Sequence, residues 1–210
     1  MEVTKLTPQL VDALLKKQDD EFRLDHSASN SLLHSVIADA PEEELFTAGR
    51  RELGSDDPMR RILGIRLIRE LKSHREQAKA ALTEMIDNES DATVLFWLVS
   101  AFGFIESDER VAAWLRLHSA DDDSAMRYAV ATALANCASP ELADESLSAL
   151  LDLSHDQNAE VRFSAIFELG SWWLLNRDPR IEAELRRAAL GDEDSEVASA
   201  AKYALAGRQP

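Results

Sequence analysis

Apolar residues recur at helical spacing along this chain, and five stretches share one arrangement of polar and apolar positions. In each stretch an aspartate or asparagine precedes a valine or methionine by three residues, and apolar residues follow this anchor at four and eight positions. The five rows are Met59, Leu63 and Leu67; Val94, Leu98 and Phe102; Met126, Val130 and Leu134; Val161, Ala165 and Leu169; Val197, Ala201 and Leu205. Because positions i, i+4 and i+8 lie on one face of an α-helix, the pattern predicts five amphipathic helices.

The polar residue ahead of each anchor predicts where the helix begins. An Asp or Asn side chain at the N-cap accepts hydrogen bonds from backbone N–H groups of the first turn, which is worth about 1 kcal/mol. A negative charge there also suits the positive end of the helix dipole. The predicted N-caps are Asp56, Asp91, Asp123, Asn158 and Asp194.

A second amphipathic stretch precedes each of these helices. These first helices are predicted at residues 42–53, 75–87, 108–118, 140–153 and 178–190. Neither helix of a pair can bury its apolar face alone, whereas stacked pairs share a continuous core. The anchors lie 35, 32, 35 and 36 residues apart, a period typical of stacked helix pairs.

The fold class predicted from this repeat is all-α, a right-handed α-solenoid of stacked helical hairpins. Five repeats occupy residues 42–210. Residues 1–41 lack the repeated arrangement, although 7–18 and 30–40 both have a helical pattern. We expect residues 1–41 to form an N-terminal helical cap, continuous with the repeats, that covers an apolar end of the stack, with a loop at residues 26–31.

The sequence Asn-Ala-Glu-Val-Arg-Phe-Ser-Ala-Ile-Phe-Glu-Leu-Gly at residues 158–170 resembles a HEAT repeat. It is similar to the short HEAT-like variety, whose second helix opens with Asp-x-x-Val-Arg-x-x-Ala and often ends with Ala-Leu-Gly. The resemblance extends over residues 42–207. It implies that the second helices of the repeats line a concave face.

The same resemblance implies an arginine directly after the anchor, which can join an aspartate of the neighbouring repeat. The chain keeps this arginine at Arg60, Arg127 and Arg162 and replaces it with Leu95 and Ala198. Any ladder of Asp–Arg pairs should therefore be interrupted at the two replaced positions.

Charge and composition exclude several classes of protein. The chain has 39 acidic and 23 basic residues, a formal charge of −16, so general nucleic-acid binding is not expected. No apolar run approaches the roughly 18 residues of a membrane span, and the N-terminus lacks a signal pattern. The single cysteine, Cys137, cannot form an internal disulfide. These features favour a cytoplasmic protein.

No motif of a nucleotide-binding loop, metalloprotease or serine hydrolase is present, so no catalytic, cofactor-binding or metal-binding residue is predicted. The five histidines are scattered without the i, i+4 pairing of a helical metal site. Asp121, Asp122 and Asp123 lack the glycine of a calcium loop, and we expect them to cap a helix. Cys137 fits a small buried side chain better than a reactive thiol.

The residues two positions after the anchors are the candidates for binding a partner. In this frame they are Arg61, Phe96, Tyr128, Phe163 and Ser199. If this position faces the groove implied by the resemblance, Phe96, Tyr128 and Phe163 form an aromatic stripe of the kind found in binding hot spots. The equally weighted alternative is that these rings pack between adjacent second helices. The predicted partner-binding face comprises Phe96, Tyr128, Phe163, Phe167, Glu160, Glu168 and Trp172.

Trp172 and Trp173 follow one another at the end of the fourth second helix. Neighbouring residues are about 100° apart on a helix, so we expect at least one indole near the surface. The alternative is a longer fourth helix whose extra turn covers the fifth repeat.

Charge is distributed unevenly along the chain. Residues 50–79 contain 9 basic and 5 acidic residues, a net of +4, whereas residues 81–158 contain 15 acidic and 3 basic residues, a net of −12. Arg61, Arg66 and Arg69 could hold a phosphate or carboxylate, but surface ion pairs are the more common use of such residues. The acidic block would attract a basic protein.

These observations favour a non-catalytic module that binds a basic protein through its concave face. The small HEAT-like proteins that the chain resembles include immunity proteins that neutralise toxins. This resemblance suggests that the basic partner is a toxin. It also includes phycobilin lyases, so a chromophore-handling enzyme using Cys137 is the alternative.

Overall fold

The computed structural model describes residues 6–24, 31–105, 108–135 and 143–208. The side chains of residues 17–24, 31, 32 and 143 are not among the described parts. The described residues form twelve α-helices and no strand. The helices are α1 (Pro8–Leu24), α2 (Ser31–Asp39), α3 (Glu42–Leu53), α4 (Pro58–Ile68), α5 (Arg75–Met85), α6 (Ala92–Phe102), α7 (Glu109–His118), α8 (Ser124–Leu134), α9 (Ala143–Leu153), α10 (Ala159–Asn176), α11 (Pro179–Gly191) and α12 (Ser195–Leu205). The prediction of an all-α fold is confirmed. The first helices of the five repeats are α3, α5, α7, α9 and α11, and the second helices are α4, α6, α8, α10 and α12.

Four of the five predicted N-caps are confirmed. The side chains of Asp123, Asn158 and Asp194 accept hydrogen bonds from first-turn N–H groups of α8, α10 and α12. Asp91 accepts from the N–H groups of Thr93 and Val94 at 2.9 and 3.1 Å. These bonds satisfy backbone donors that have no partner within the helix.

The first repeat begins one residue later than predicted. Asp57, not Asp56, is the N-cap of α4, and its carboxylate accepts from the N–H of Met59 at 2.9 Å. Pro58 occupies the first helical position, where its missing N–H breaks no helical bond. The anchor position of this repeat is therefore Arg60, and the arginine that follows it is Arg61.

The apolar rows lie in the interior, as predicted. Of the fifteen residues in the five rows, Met59 and Leu205 are partly buried and the other thirteen are buried. Met59 is partly exposed because the shifted start of α4 rotates it away from the anchor position. Burial of these rows explains why the second helices form despite their short length, since packing supplies most of the stability of helices about three turns long.

The helices belong to two compact units, Met1–Ala101 and Phe102–Pro210. In the first unit α4 packs against α3 and α1. Arg60 also reaches the carboxylate of Asp12 on α1 at 3.2 Å. α1 (Pro8–Leu24) and α2 (Ser31–Asp39) lie where the sequence predicted two helices, and the role of these residues as a cap remains a proposal. Of the predicted loop at 26–31, residues 26–30 lie outside the described part of the chain.

In the second unit consecutive repeats stack through their second helices. α10 lies between α8 and α12, and α9 and α11 pack against it. A Cβ built on Gly170 of α10 would lie 2.8 Å from the Cβ of Ala204 on α12. A side chain at residue 170 would force α10 and α12 to shift apart, so the close contact between these helices favours glycine there.

Arginine–carboxylate pairs connect successive repeats within each unit. The guanidinium of Arg127 binds Asp156, with Nε–Oδ2 and Nη2–Oδ1 distances of 2.6 and 2.9 Å. Arg162 binds Asp192 in the same way, at 3.0 and 2.9 Å. In both cases Nη1 donates to two carbonyl oxygens of the arginine's own repeat loop. Each arginine thus fixes its own loop and the next one.

The first unit contains an equivalent arginine–carboxylate pair, but its arginine is not the one predicted from the sequence. Arg61, and not Arg60, binds Glu89, with Nε–Oε2 and Nη2–Oε1 distances of 2.7 and 3.0 Å. Nη1 of Arg61 donates to the carbonyls of Ser55 and Asp56. Arg60 is instead bound to Glu52 at 2.9 Å. The one-residue shift of α4 explains this correction, because it moves Arg61 to the position that Arg127 and Arg162 hold in their helices.

The acceptor of each pair has a second role. Glu89, Asp156 and Asp192 lie two residues before an N-cap, and each accepts a hydrogen bond from the backbone N–H of that N-cap residue. Asp156 is held ionised by hydrogen bonds from Arg127 and the Asn158 N–H, which outweigh its burial and keep its pKa below the usual aspartate value. Burial opposes ionisation of Asp192, but its bonds to Arg162 and the Asp194 N–H still lower its pKa.

Candidate partner-binding face

Four aromatic side chains on α8, α10 and α12 are exposed or partly exposed to solvent. Tyr128 and Tyr203 are 43% and 49% exposed, and Phe163 and Phe167 are partly buried. The rings of Phe163 and Phe167 lie 6.4 Å apart, centroid to centroid. We refer to Tyr128, Phe163, Phe167 and Tyr203 as the aromatic face.

Helical spacing divides the residues of α10 between its two neighbours. Phe163, Phe167 and Gly170 recur at intervals of four and three residues, so they share the side on which Gly170 meets Ala204 of α12. Ser164 and Trp172 share the side toward α8. The Oγ of Ser164 is 3.1 Å from Oγ1 of Thr132, and Nε1 of Trp172 donates to the Ala135 carbonyl at 3.2 Å.

The two acidic residues of the predicted partner-binding face, Glu160 and Glu168, differ in their surroundings. Glu160 is exposed in the first turn of α10. Glu168 is partly buried, and burial raises the pKa of its carboxyl to about 7. No described residue provides a hydrogen bond or an opposite charge that counters this effect, so Glu168 is half protonated near neutral pH.

The expectation that Trp172 or Trp173 lies near the surface is wrong. Both are buried, with 3% and 9% of their surface exposed. The longer fourth helix of the alternative is confirmed, since α10 continues for 18 residues to Asn176. Trp172 bonds to α8, and the guanidinium of Arg177 stacks over Trp173 at 4.8 Å. Trp172 therefore packs in the interior and is not part of the aromatic face.

Phe96 belongs to the first unit and not to the second unit, which contains the aromatic face. It is partly buried, and its ring meets that of Trp97 edge-on at 6.1 Å. Trp97 in turn lies beneath the guanidinium groups of Arg66 and Arg69, at 4.9 and 5.8 Å from the ring centroid. Arg61, the third arginine considered as an anion site, is bound to Glu89 in the arginine–carboxylate pair. These contacts use the cations within the unit itself.

Tyr203 was missed in the sequence analysis. It lies six residues after the anchor Val197, the same offset that separates Phe167 from the anchor Val161. The predicted aromatic stripe used the residue two positions after each anchor, which in α12 is Ser199. Comparing the next turn of the same helices would have identified Tyr203.

Other predicted features fall outside a binding role or outside the described residues. Asp123 caps α8, and Asp121 accepts from the backbone N–H of Asp123 at 2.9 Å, as expected for a helix start. Among the described residues, no three histidine, cysteine or acidic side chains form a group that could hold a metal ion. Cys137, on which the chromophore alternative depends, lies outside them. The described helices include none with the length and apolar character needed to cross a membrane.

Comparison with known proteins identifies the fold. No protein-family model and no curated protein sequence matches the chain. Among solved structures, YibA of Escherichia coli is similar with a TM-score of 0.63 and 18% identity, covering 98% of this chain and 77% of YibA. A designed armadillo repeat protein is similar with a TM-score of 0.61 and 17% identity, covering 98% and 96% of the two chains.

A further designed armadillo repeat protein, solved in complex with the peptide (KR)4, has a TM-score of 0.61 and 18% identity, with 99% of each chain covered. Similarity at this level of identity defines a fold and does not transfer a ligand. The chain has the HEAT and armadillo-like helical repeat fold, as the sequence predicted.

Proposed function

We propose that the second unit binds a basic protein partner through the aromatic face. The observation that carries this proposal is the outward position of the aromatic face on three adjacent helices. Aromatic side chains are enriched among the few residues that dominate binding energy, and apolar patches exposed to solvent often mark interaction sites. Packed helices hold these rings in place, so little conformational entropy is lost on binding.

Charge determines the kind of partner. Residues 102–210 contain 20 acidic and 10 basic residues, a net of −10. Several of the basic side chains are already engaged, as Arg127 and Arg162 are with Asp156 and Asp192. The remaining field is negative and attracts a basic surface, while Glu160 and Glu168 provide acidic side chains on the same helix as Phe163 and Phe167. The designed armadillo neighbour in complex with (KR)4 supports this choice of partner, since that protein of the same fold was solved with a basic peptide.

The proposal is tested by measuring affinity and stability on the same variants. The probe is a fluorescently labelled (KR)4 peptide, followed by anisotropy at low and high salt. Phe163→Ala and Phe167→Ala should each weaken binding at least tenfold, equivalent to about 1.4 kcal/mol, if the rings contact the peptide. Higher salt should mainly slow association.

Leu190→Ala is the matched control, because Leu190 is 90% exposed on α11 and is not part of the aromatic face. It should leave affinity unchanged. If Phe163→Ala and Phe167→Ala lower thermal stability but leave the affinity of the folded protein at the wild-type value, the rings are core residues and the proposal is wrong.

Within this proposal, a toxin that carries a basic surface is the partner suggested by the HEAT-like resemblance to immunity proteins. Such a pair binds tightly through charge complementarity combined with a few buried anchors. Co-expression of a basic toxin domain with the wild-type chain and with Phe163→Ala would test it, since protection of the cell should depend on the aromatic face.

A further inference from the structure

Glu168 is placed at the junction of α8 and α10. It lies four residues after Ser164 and four before Trp172, so all three share one side of α10. Ser164 and Trp172 both bond to α8, at Thr132 and at the Ala135 carbonyl. Glu168 therefore lies one turn from each of two contacts between α10 and α8, and its side chain is partly exposed to solvent.

The described surroundings provide no cation for this carboxyl. The titratable side chains on the helices packed against α10 are Arg127 and Tyr128 on α8; Asp144, Glu145 and Asp152 on α9; Arg180, Glu182, Glu184, Arg186 and Arg187 on α11; and Glu196, Lys202 and Tyr203 on α12. None of them acts on Glu168, whose ionisation is opposed by burial alone. On α10 itself, Glu160 is acidic and Arg162 is bound to Asp192, and Arg177, which directly follows α10, stacks on Trp173.

A partly buried carboxyl without a counter-charge is unusual, because such groups normally bind a cation or accept several hydrogen bonds. Here it lies on the same helix as Phe163 and Phe167 of the aromatic face. A lysine or arginine side chain that enters from solvent could place its methylene stem along the rings and its charged end at the carboxylate.

We propose that Glu168 receives one lysine or arginine side chain of the partner and releases its proton to solvent as the complex forms. This inference rests on the proposed function and names the residue that makes binding depend on pH. The incoming cation keeps its own proton, so one proton leaves the carboxyl and the new pair is neutral overall. Below neutral pH the cation must displace that proton, and above it the carboxylate is ready to bind.

The test measures binding of (KR)4 at pH 6 and pH 8 to the wild type, Glu168→Gln and Glu160→Gln. With the Glu168 pKa at about 7, the ionised fraction rises about tenfold between these pH values, so wild-type affinity should rise about tenfold. Glu168→Gln should lose this pH dependence and bind about tenfold or more weakly at pH 8. Glu160→Gln, an exposed acid on the same helix, should retain it.

The outcomes separate the two proposals. If (KR)4 binds and Glu168→Gln retains the full pH dependence, the inference is wrong and the proposed function stands. If the wild type binds no (KR)4 at either pH, both are contradicted. A carbon-detected NMR titration of the Glu168 carboxyl gives a second measurement, because it should titrate near neutral pH in the free protein and stay ionised at pH 6 in the complex. Unchanged far-UV circular dichroism would establish that Glu168→Gln is folded.

Discussion

Arg127 and Asp156 form a two-point ion pair across 29 residues of sequence, and both side chains are more than nine-tenths buried. The pair connects α8 to the loop that begins α10. Because this loop also positions Asn158, the N-cap of α10, the pair stabilises both the contact between repeats and the start of the next helix.

Asp156→Asn should lower the free energy of unfolding by about 3 kcal/mol at pH 7, since it leaves the Arg127 guanidinium buried without its charge partner. The pKa of Asp156 is lowered in the folded protein, so its contribution is complete above the usual aspartate range and is lost as pH falls through the lowered value. Urea unfolding at pH 7 and pH 3 measures the difference. Asp152→Asn, an exposed acid on α9, should change little at either pH.

Arg61→Leu should cost about 3 kcal/mol, because Glu89 has 4% of its side chain exposed and would lose its cation. Arg60→Leu should cost about 1 kcal/mol or less, because Glu52 would keep Arg51 at 2.8 Å. Urea unfolding of the two single variants compares them directly. Equal losses of unfolding free energy would show that Arg61 contributes no more to stability than Arg60, contrary to the prediction.

Gly170→Ala should destabilise the protein by about 1–3 kcal/mol, because the new methyl group would collide with Ala204. Combining it with Ala204→Gly should cost less than the sum of the two single changes, since the second change opens the space that the first fills. Gly191→Ala is the matched control at the end of α11, where a Cβ meets nothing within 4 Å. It should stabilise the protein by up to about 1 kcal/mol.

Glu168→Gln should stabilise the free protein at pH 8 but not at pH 4.5. The carboxyl pKa is raised in the folded state, so the wild type is most stable below the usual glutamate value and loses stability as pH rises through about 7. The neutral amide has no such loss. We expect a gain of about 1–2 kcal/mol at pH 8, after allowing for the solvent access of this side chain. Urea unfolding at a series of pH values measures this difference. Parallel curves of unfolding free energy against pH for the wild type and Glu168→Gln would contradict the effect of burial on Glu168.

The repeat made most of the fold predictable from sequence. The rows that begin at Val94, Met126, Val161 and Val197 placed four second helices and their N-caps correctly, because burial and capping act on nearby residues. The error at Asp56 arose because Asp56, and not the neighbouring Asp57, precedes an apolar residue, Met59, by three positions, whereas the true anchor position holds Arg60. Only the three-dimensional position of Pro58 and the pairing of Arg61 with Glu89 distinguish them.

The candidate site was less predictable because exposure depends on neighbouring helices. Trp172 and Trp173 are both buried, since the extended end of α10 bonds to α8 on one side and is covered by Arg177 on the other. Neither contact can be predicted from the helical periodicity of α10 alone. The raised pKa of Glu168 likewise comes from burial in the assembled unit, and nothing in its local sequence distinguishes it from the exposed Glu160.

The arginine–carboxylate pairs give the chain a direction, because each arginine binds an acid from the repeat that follows it. Asp121 lies at the acidic position of its loop and Arg127 at the basic position of its helix, so residues 121–155 contain both an acid for a preceding repeat and an arginine for the following one. A duplicate of these 35 residues inserted after His155 would let the first Arg127 bind the second Asp121, and the second Arg127 bind Asp156. We therefore expect residues 121–155 to serve as a repeat unit, from which longer arrays with a wider binding surface could be built by gene duplication or by design.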